Sequence, residues 1–296
     1  MAKPIVTFFR DITALAKPGL TMMNVMMTAG AMGLAKADLP LITWITILVG
    51  ATLLVASANT LNMYLEREGD KAMARTRRRP IPSGRMRAGT ALGLGLVGGI
   101  AAVTLLTLYG NVATGALGAF GFVSYVWIYT PMKRISPWAM QIGAIPGAIP
   151  PLLGWTAATG HISIEGIVLF LIVFFWQIPH FIAIAIYRQA DYVRAGIKTW
   201  PAERGLDSAK NQALIYTFFL TPISLMLVPL GIASYAYLVA AAGLGLWFLL
   251  TCVRGFEPES GQRWARHFFV VSIIYLPLLT LALIVDVVLI LPRGLV

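Results

Sequence analysis

Residues 42–70 read ITWITILVGATLLVASANTLNMYLEREGD, and no charge interrupts them before Glu66. A helix needs about 20 apolar residues to cross the hydrocarbon core of a bilayer. This run meets that length and then turns abruptly into a charged tail, so as one helix it would cross a membrane and deliver Glu66, Glu68 and Asp70 to its surface. Similar apolar stretches recur, predicting nine crossings at about 19–36, 42–65, 89–109, 111–131, 138–158, 164–187, 210–230, 232–252 and 267–290. The expected fold is all-α, a polytopic membrane protein with about nine transmembrane helices around a central cavity. With no linker and no low-complexity tract, residues 1–296 read as a single domain.

Composition points the same way. Of 296 residues, 58% are hydrophobic and only 12% charged, with mean hydropathy +0.78; a soluble domain carries roughly 25% charged residues. The net charge of +11 does not call for nucleic acid, because membrane proteins concentrate Lys and Arg on their cytoplasmic side. The single cysteine, Cys252, excludes a disulfide framework or cysteine metal site within one chain. Residues 1–18 lack the uninterrupted apolar core of a signal peptide. Phe8, Phe9, Ile12 and Leu15 instead suggest a short interfacial helix.

Charge placement sets the expected orientation. Tight, nearly uncharged turns at Tyr109-Gly110-Asn111, Thr159-Gly160-His161 and Gly231-Ile232-Ala233-Ser234 alternate with basic segments before span one and after spans two, four, six and eight. Nine crossings put every basic segment on one face, which the positive-inside rule assigns, with the N-terminus, to the cytoplasm of a cell-membrane protein. The opposite face keeps only Lys36 and Arg293 as cations.

The chemistry-bearing residues crowd that basic face. Asn62, Glu66 and Asp70 stand four apart and share one helix stripe. Such oxygen donors suit a hard divalent cation like Mg²⁺. Acids in a last helical turn also oppose the macrodipole, so balancing nearby Arg is a poorer explanation. Arg75-Thr76-Arg77-Arg78-Arg79 follows, a plausible diphosphate clamp. Lys133 and Arg134 end span four, where topology alone would account for them equally well. Span six carries Trp176-Gln177-Ile178-Pro179-His180, then Tyr187-Arg188 and Asp191; Asp191 could complete a second metal half-site. His180 is either a packed helix histidine or a functional intramembrane imidazole, and Pro179 should kink its helix. Residues 137–151, PWAMQIGAIPGAIPP, are poor helix material that reads as a kinked span or a cavity wall.

Taken together and in order, the Asn62/Glu66/Asp70 stripe with RTRRRPIPSG, YTPMKR with SPW and IGAIPGAIPPLLGW, and WQIPHF with DYVRAG resemble the UbiA superfamily of intramembrane prenyltransferases, in its haem-modifying branch. The likeness runs from about Ala16 to the last span. The superfamily's first motif is Asn-x3-Asp-x3-Asp and its second usually Asp-x3-Asp; here Glu66 takes a middle position and Tyr187 replaces the second motif's first Asp. The resemblance implies Mg²⁺ held by Asn62, Glu66, Asp70 and Asp191, and a diphosphate bound by Arg75, Arg79, Lys133, Arg134 and Lys198. It implies transfer of farnesyl from farnesyl diphosphate to a vinyl group of haem B, with water added, giving haem O. His180, Trp176, Gln177 and Tyr187 would then face the haem, with Arg188 or Arg194 at its propionates. A haem A synthase or an oxidase assembly factor is the implied receiving partner. Rival readings are prenylation of a quinone precursor or another ring, a haem or small-molecule carrier, and a structural oxidase subunit.

Overall fold

The computed structural model describes residues 5–73, 76–258 and 260–290, and among them every regular element is helical. The chain opens with α1 (Ile5–Ala16), which leaves Phe8 and Phe9 exposed while Leu15 and Asp11 are buried, as an interfacial helix requires. Arg85 donates to Asp11 at 2.9 Å and ties α1 to the basic loop that follows the Asn62/Glu66/Asp70 stripe.

The long helices are α2 (Pro18–Leu34), α3 (Leu41–Ala72), α4 (Ala88–Tyr109), α5 (Val112–Val123), α7 (Ala139–Thr159), α8 (Ile164–Tyr187), α11 (Leu206–Leu225), α12 (Tyr235–Val253) and α13 (Gln262–Val285). A π-helical turn at Ser124–Tyr129 continues α5 into the short α6 (Thr130–Met132); α9 (Gln189–Arg194) and α10 (Trp200–Arg204) are short helices between α8 and α11. Each long helix overlaps one expected crossing. Six stretches, Leu41–Lys71, Ala88–Tyr109, Val112–Met132, Ile164–Tyr187, Tyr235–Phe256 and Gln262–Ile290, are long and apolar enough to span a bilayer, making this a multi-pass membrane protein. The other three helices fall outside that measure. α2 has 17 residues, α7 contains Pro146, Pro150 and Pro151, and α11 opens on Asp207 and Lys210.

The turns follow their residues. Asn111 caps α5, accepting the Thr114 N–H at 2.9 Å, and Gly160 closes α7 with φ +84°, a conformation glycine adopts without a Cβ penalty. α7 packs closely on α2 because Gly154 lies against the Thr28 carbonyl, in space any Cβ would occupy. The Thr28 hydroxyl donates to Pro150 O at 3.2 Å, a further tie between the two helices.

Asp286, an acid inside an apolar run, is nearly fully buried. Its carboxylate accepts the Ser234 N–H at 2.7 Å, the Tyr237 N–H at 3.2 Å and the Ser234 hydroxyl, and so caps α12. Without it, buried donors lose their acceptor, at roughly 2–3 kcal/mol. Asp286→Ala is therefore expected to lower the thermal midpoint of detergent-solubilised protein by roughly 5–10 °C, and an unchanged midpoint would refute the cap.

Candidate active site

A polar cavity of about 340 Å³ opens where α3, α6 and α8 end and α2 and α7 begin. Four of the five basic segments, those before α2 and after α3, α6 and α8, send residues into it and therefore share one end of the bundle.

Asn62, Glu66 and Asp70 line it from α3 as one stripe. Each meets a cation of the chain. Lys17 Nζ donates to Asn62 Oδ1 at 3.1 Å, Lys133 Nζ to Glu66 at 2.9 Å and Arg79 Nη1 to Asp70 at 2.7 Å. Asp70 is 1% exposed, and its carbonyl accepts the Thr76 hydroxyl at 3.0 Å, which folds the loop back over the helix end. Asn62 also donates to Thr130 at 3.1 Å, fixing its amide. Lys133 rides 4.5 Å above the Tyr129 ring. Burial opposes its charge, yet Tyr129, Glu66 and Tyr125 outweigh burial and raise its pKa. Lys17 moves the other way: burial first, then the Arg79 and Lys133 charges, push it down to about 7.

A second, mostly apolar cavity of about 280 Å³ adjoins the first, the two sharing Tyr125, Tyr129 and Phe181. It descends between α2, α3, α5 and α7 past Asn59, Val55, Phe122 and Ile149 to Ala51 and Leu153. Gln177 lines it from α8, donating to Ala144 O at 3.3 Å and Val173 O at 3.2 Å.

Arg79, Lys133 and Lys198 stand with the acids in the polar cavity, and the Lys198 N–H donates to Lys133 O at 2.8 Å, strapping the loop after α9 across it. Arg75 lies outside the described residues. Arg134 does not line the cavity; its guanidinium lies against Gly69. Asp191 is not brought to the stripe. On the short α9 it pairs with Arg194 and, at 3.5 Å, with Arg188, its side chain 49% exposed. Those partners, Arg194 foremost, hold its carboxyl below the usual range, while its neighbour Tyr192 turns inward. Arg188 lies 5.1 Å from the Tyr187 ring, and Tyr187 packs on Phe269. Trp176 and His180 line neither cavity and face α13. Their rings stack 4.9 Å apart, His180 Nδ1 lies 2.7 Å from Ser272 Oγ, and Phe269 covers the imidazole at 5.0 Å.

Sequence reasoning missed Lys17 and the two tyrosines. Lys17 adopts φ 50°, rare for a non-glycine residue, and the adjoining Pro18-Gly19 was the available signal. Tyr125 and Tyr129 take their places on the π-helical turn, a feature frequent at functional sites that no apolar periodicity announces.

Two carboxylates and an amide oxygen form a hard donor set that fits Mg²⁺. Among the described residues no cluster of three His, Cys, Asp or Glu could enclose a metal.

The sequence profile of the UbiA prenyltransferase family matches residues 24–274. The chain is 43% identical to protoheme IX farnesyltransferase of Myxococcus xanthus over 96% of its own length and 97% of that protein. It is 44% identical to the enzyme of that name from Sorangium cellulosum, over 87% and 92%. Among solved structures, a digeranylgeranylglyceryl phosphate synthase superposes with TM-score 0.83 at 16% identity, covering 95% of this chain and 98% of that one. A UbiA homologue from Archaeoglobus fulgidus bound to GPP and Mg²⁺ gives 0.65 at 13% identity, covering 92% and 99%. At these identities the two structures speak to the fold.

Proposed function

This chain belongs to the UbiA prenyltransferase family, and we propose that it transfers farnesyl from farnesyl diphosphate to a vinyl group of haem B with addition of water, forming haem O and diphosphate. The observation that carries the reading is the junction of a cation-and-carboxylate pocket with an apolar cavity at Tyr125, Tyr129 and Phe181. That pairing suits an amphiphile with a diphosphate head and a hydrocarbon tail. The names of the full-length relatives support farnesyl as the group and protohaem as the acceptor.

Asn62, Glu66 and Asp70 would hold Mg²⁺, and bound there it supplies the charge that stabilises a departing diphosphate. Arg79, Lys133 and Lys198 bind the diphosphate oxygens and offset the negative charge that grows on them, and Lys17 stands beside them as a further hydrogen-bond donor. Arg75 and Arg134 are assigned to the same group. The Tyr125, Tyr129 and Phe181 rings enclose the reacting carbon, exclude water from it and offer π faces to the allylic cation left when the C–O bond breaks. Asp191 contributes from the rim once its arginine pairs open. The reaction faces the cytoplasm of the cell membrane, in keeping with the basic charge at this end.

Incubating purified protein with farnesyl diphosphate, Mg²⁺ and haem B tests the reading. A haem mass raised by one farnesyl group and one water is expected, and prenylation of 4-hydroxybenzoate instead would overturn the acceptor.

His180, Trp176 and Tyr187 at the α8–α13 seam are assigned to the haem side, with Gln177 at the cavity wall and Arg188 or Arg194 at the propionates. Ser272 fixes His180 Nδ1 and leaves Nε2 as the free nitrogen, a good haem-iron ligand. His180→Ala is expected to weaken haem B binding about tenfold, roughly 1.4 kcal/mol, with the KM for farnesyl diphosphate unchanged. A Soret titration unmoved by the substitution removes His180 from the haem site.

A further inference from the structure

The apolar cavity has a closed floor. Ala51 and Leu54 reach it from α3, and Leu153 from α7. The side chains of Leu54, Leu106 and Leu153 converge on Gly118 of α5. Met32, Ile47 and Leu106 are fully buried in the same apolar cluster and line neither cavity. The floor is therefore packed core with no passage through it.

Its depth is a length. On α3 the apolar cavity's wall runs from Asn59 to Ala51, and on α7 from Gly143 to Leu153. At a rise of about 1.5 Å per residue, the two paths descend roughly 12 and 15 Å. An extended isoprene unit advances four main-chain carbons, about 5 Å given ordinary C–C bond lengths. Three units fill the depth, and a fourth would have to enter packed leucine and isoleucine.

We infer that Ala51, Leu54 and Leu153 form a ruler that limits the transferred chain to three isoprene units. The inference rests on the prenyl-donor reading above and adds the residues that select among donors. Overpacked or emptied cores respond to changes of a few methylene groups, so the floor can be raised or lowered by substitution.

The test measures equilibrium binding of geranyl, farnesyl and geranylgeranyl diphosphate, each with Mg²⁺, to the full-length protein in lipid nanodiscs without haem. The wild type is expected to favour farnesyl over geranylgeranyl diphosphate by roughly tenfold or more, the usual discrimination of a hydrophobic pocket. Ala51→Leu, which raises the floor, should shift the preference to geranyl diphosphate. Leu153→Ala combined with Ile47→Ala, which lowers it, should relieve the discrimination against geranylgeranyl diphosphate; if that variant does not fold, Ala51→Leu decides alone. Equal wild-type affinity for all three donors, or an unchanged ratio in Ala51→Leu, overturns the ruler. Because no haem is present, failure to prenylate haem in the separate product assay would count against the acceptor and leave the ruler standing.

Discussion

Asp70→Asn is expected to lower prenyl transfer about a thousand-fold, roughly 4 kcal/mol of transition-state stabilisation, while the protein remains folded. The substitution removes a charge and little else. The loop beyond the helix is anchored by the Asp70 carbonyl, which accepts the Thr76 hydroxyl, and an asparagine side chain still offers Arg79 an oxygen. Alanine would be a poorer experiment, since breaking a buried pair costs about 3–5 kcal/mol of stability and would confound folding with catalysis. A carboxylate that binds Mg²⁺ cannot be replaced by an amide at equal affinity, because a hard cation prefers anionic oxygen. Single-turnover rates across a Mg²⁺ titration should therefore show a higher metal requirement as well as a lower ceiling. Transfer within tenfold of wild type, with the same metal dependence, would leave Asp70 as a structural partner of Arg79 and remove the central residue of the proposed mechanism.

How far these residues could be read from sequence depends on the kind of information each required. The Asn62/Glu66/Asp70 stripe is a matter of helical spacing, and spacing survives folding, so the three line one cavity. The helix positions follow equally from apolar runs punctuated by Gly160 and Asn111. Which neighbour a helix face meets is not local information. Trp176 and His180 lie on α8 beside Gln177 and Phe181, yet the first pair turns to α13 and the second to the apolar cavity. Asp191 was placed by analogy with paired acidic motifs, but on a six-residue helix its nearest charges, Arg188 and Arg194, engage it first. Lys17 enters the site only because its backbone takes a left-handed conformation, which nothing in its own letter predicts.

Lys133 is the second residue on which the activity should depend steeply, and it raises a question that a single substitution cannot answer. It is partly buried between Glu66 and the Tyr129 ring, so Lys133→Met removes a cation from the diphosphate pocket and also strands the Glu66 carboxylate. Loss of one preorganised donor to a developing anion costs about 10²–10³ in rate, and a partly buried carboxylate left without its partner lowers stability as well. The two causes separate in a double-variant cycle. If Lys133 serves only to neutralise Glu66, then Lys133→Met combined with Glu66→Gln restores stability and activity together. If Lys133 instead stabilises the leaving group, the double variant recovers its thermal midpoint while transfer stays at least a hundred-fold down. Its place on the wall of the polar cavity, over the Tyr129 ring as well as beside Glu66, favours the second outcome. A double variant that regained both midpoint and rate would return Lys133 to the scaffold and leave Arg79 and Lys198 as the chain's principal diphosphate cations.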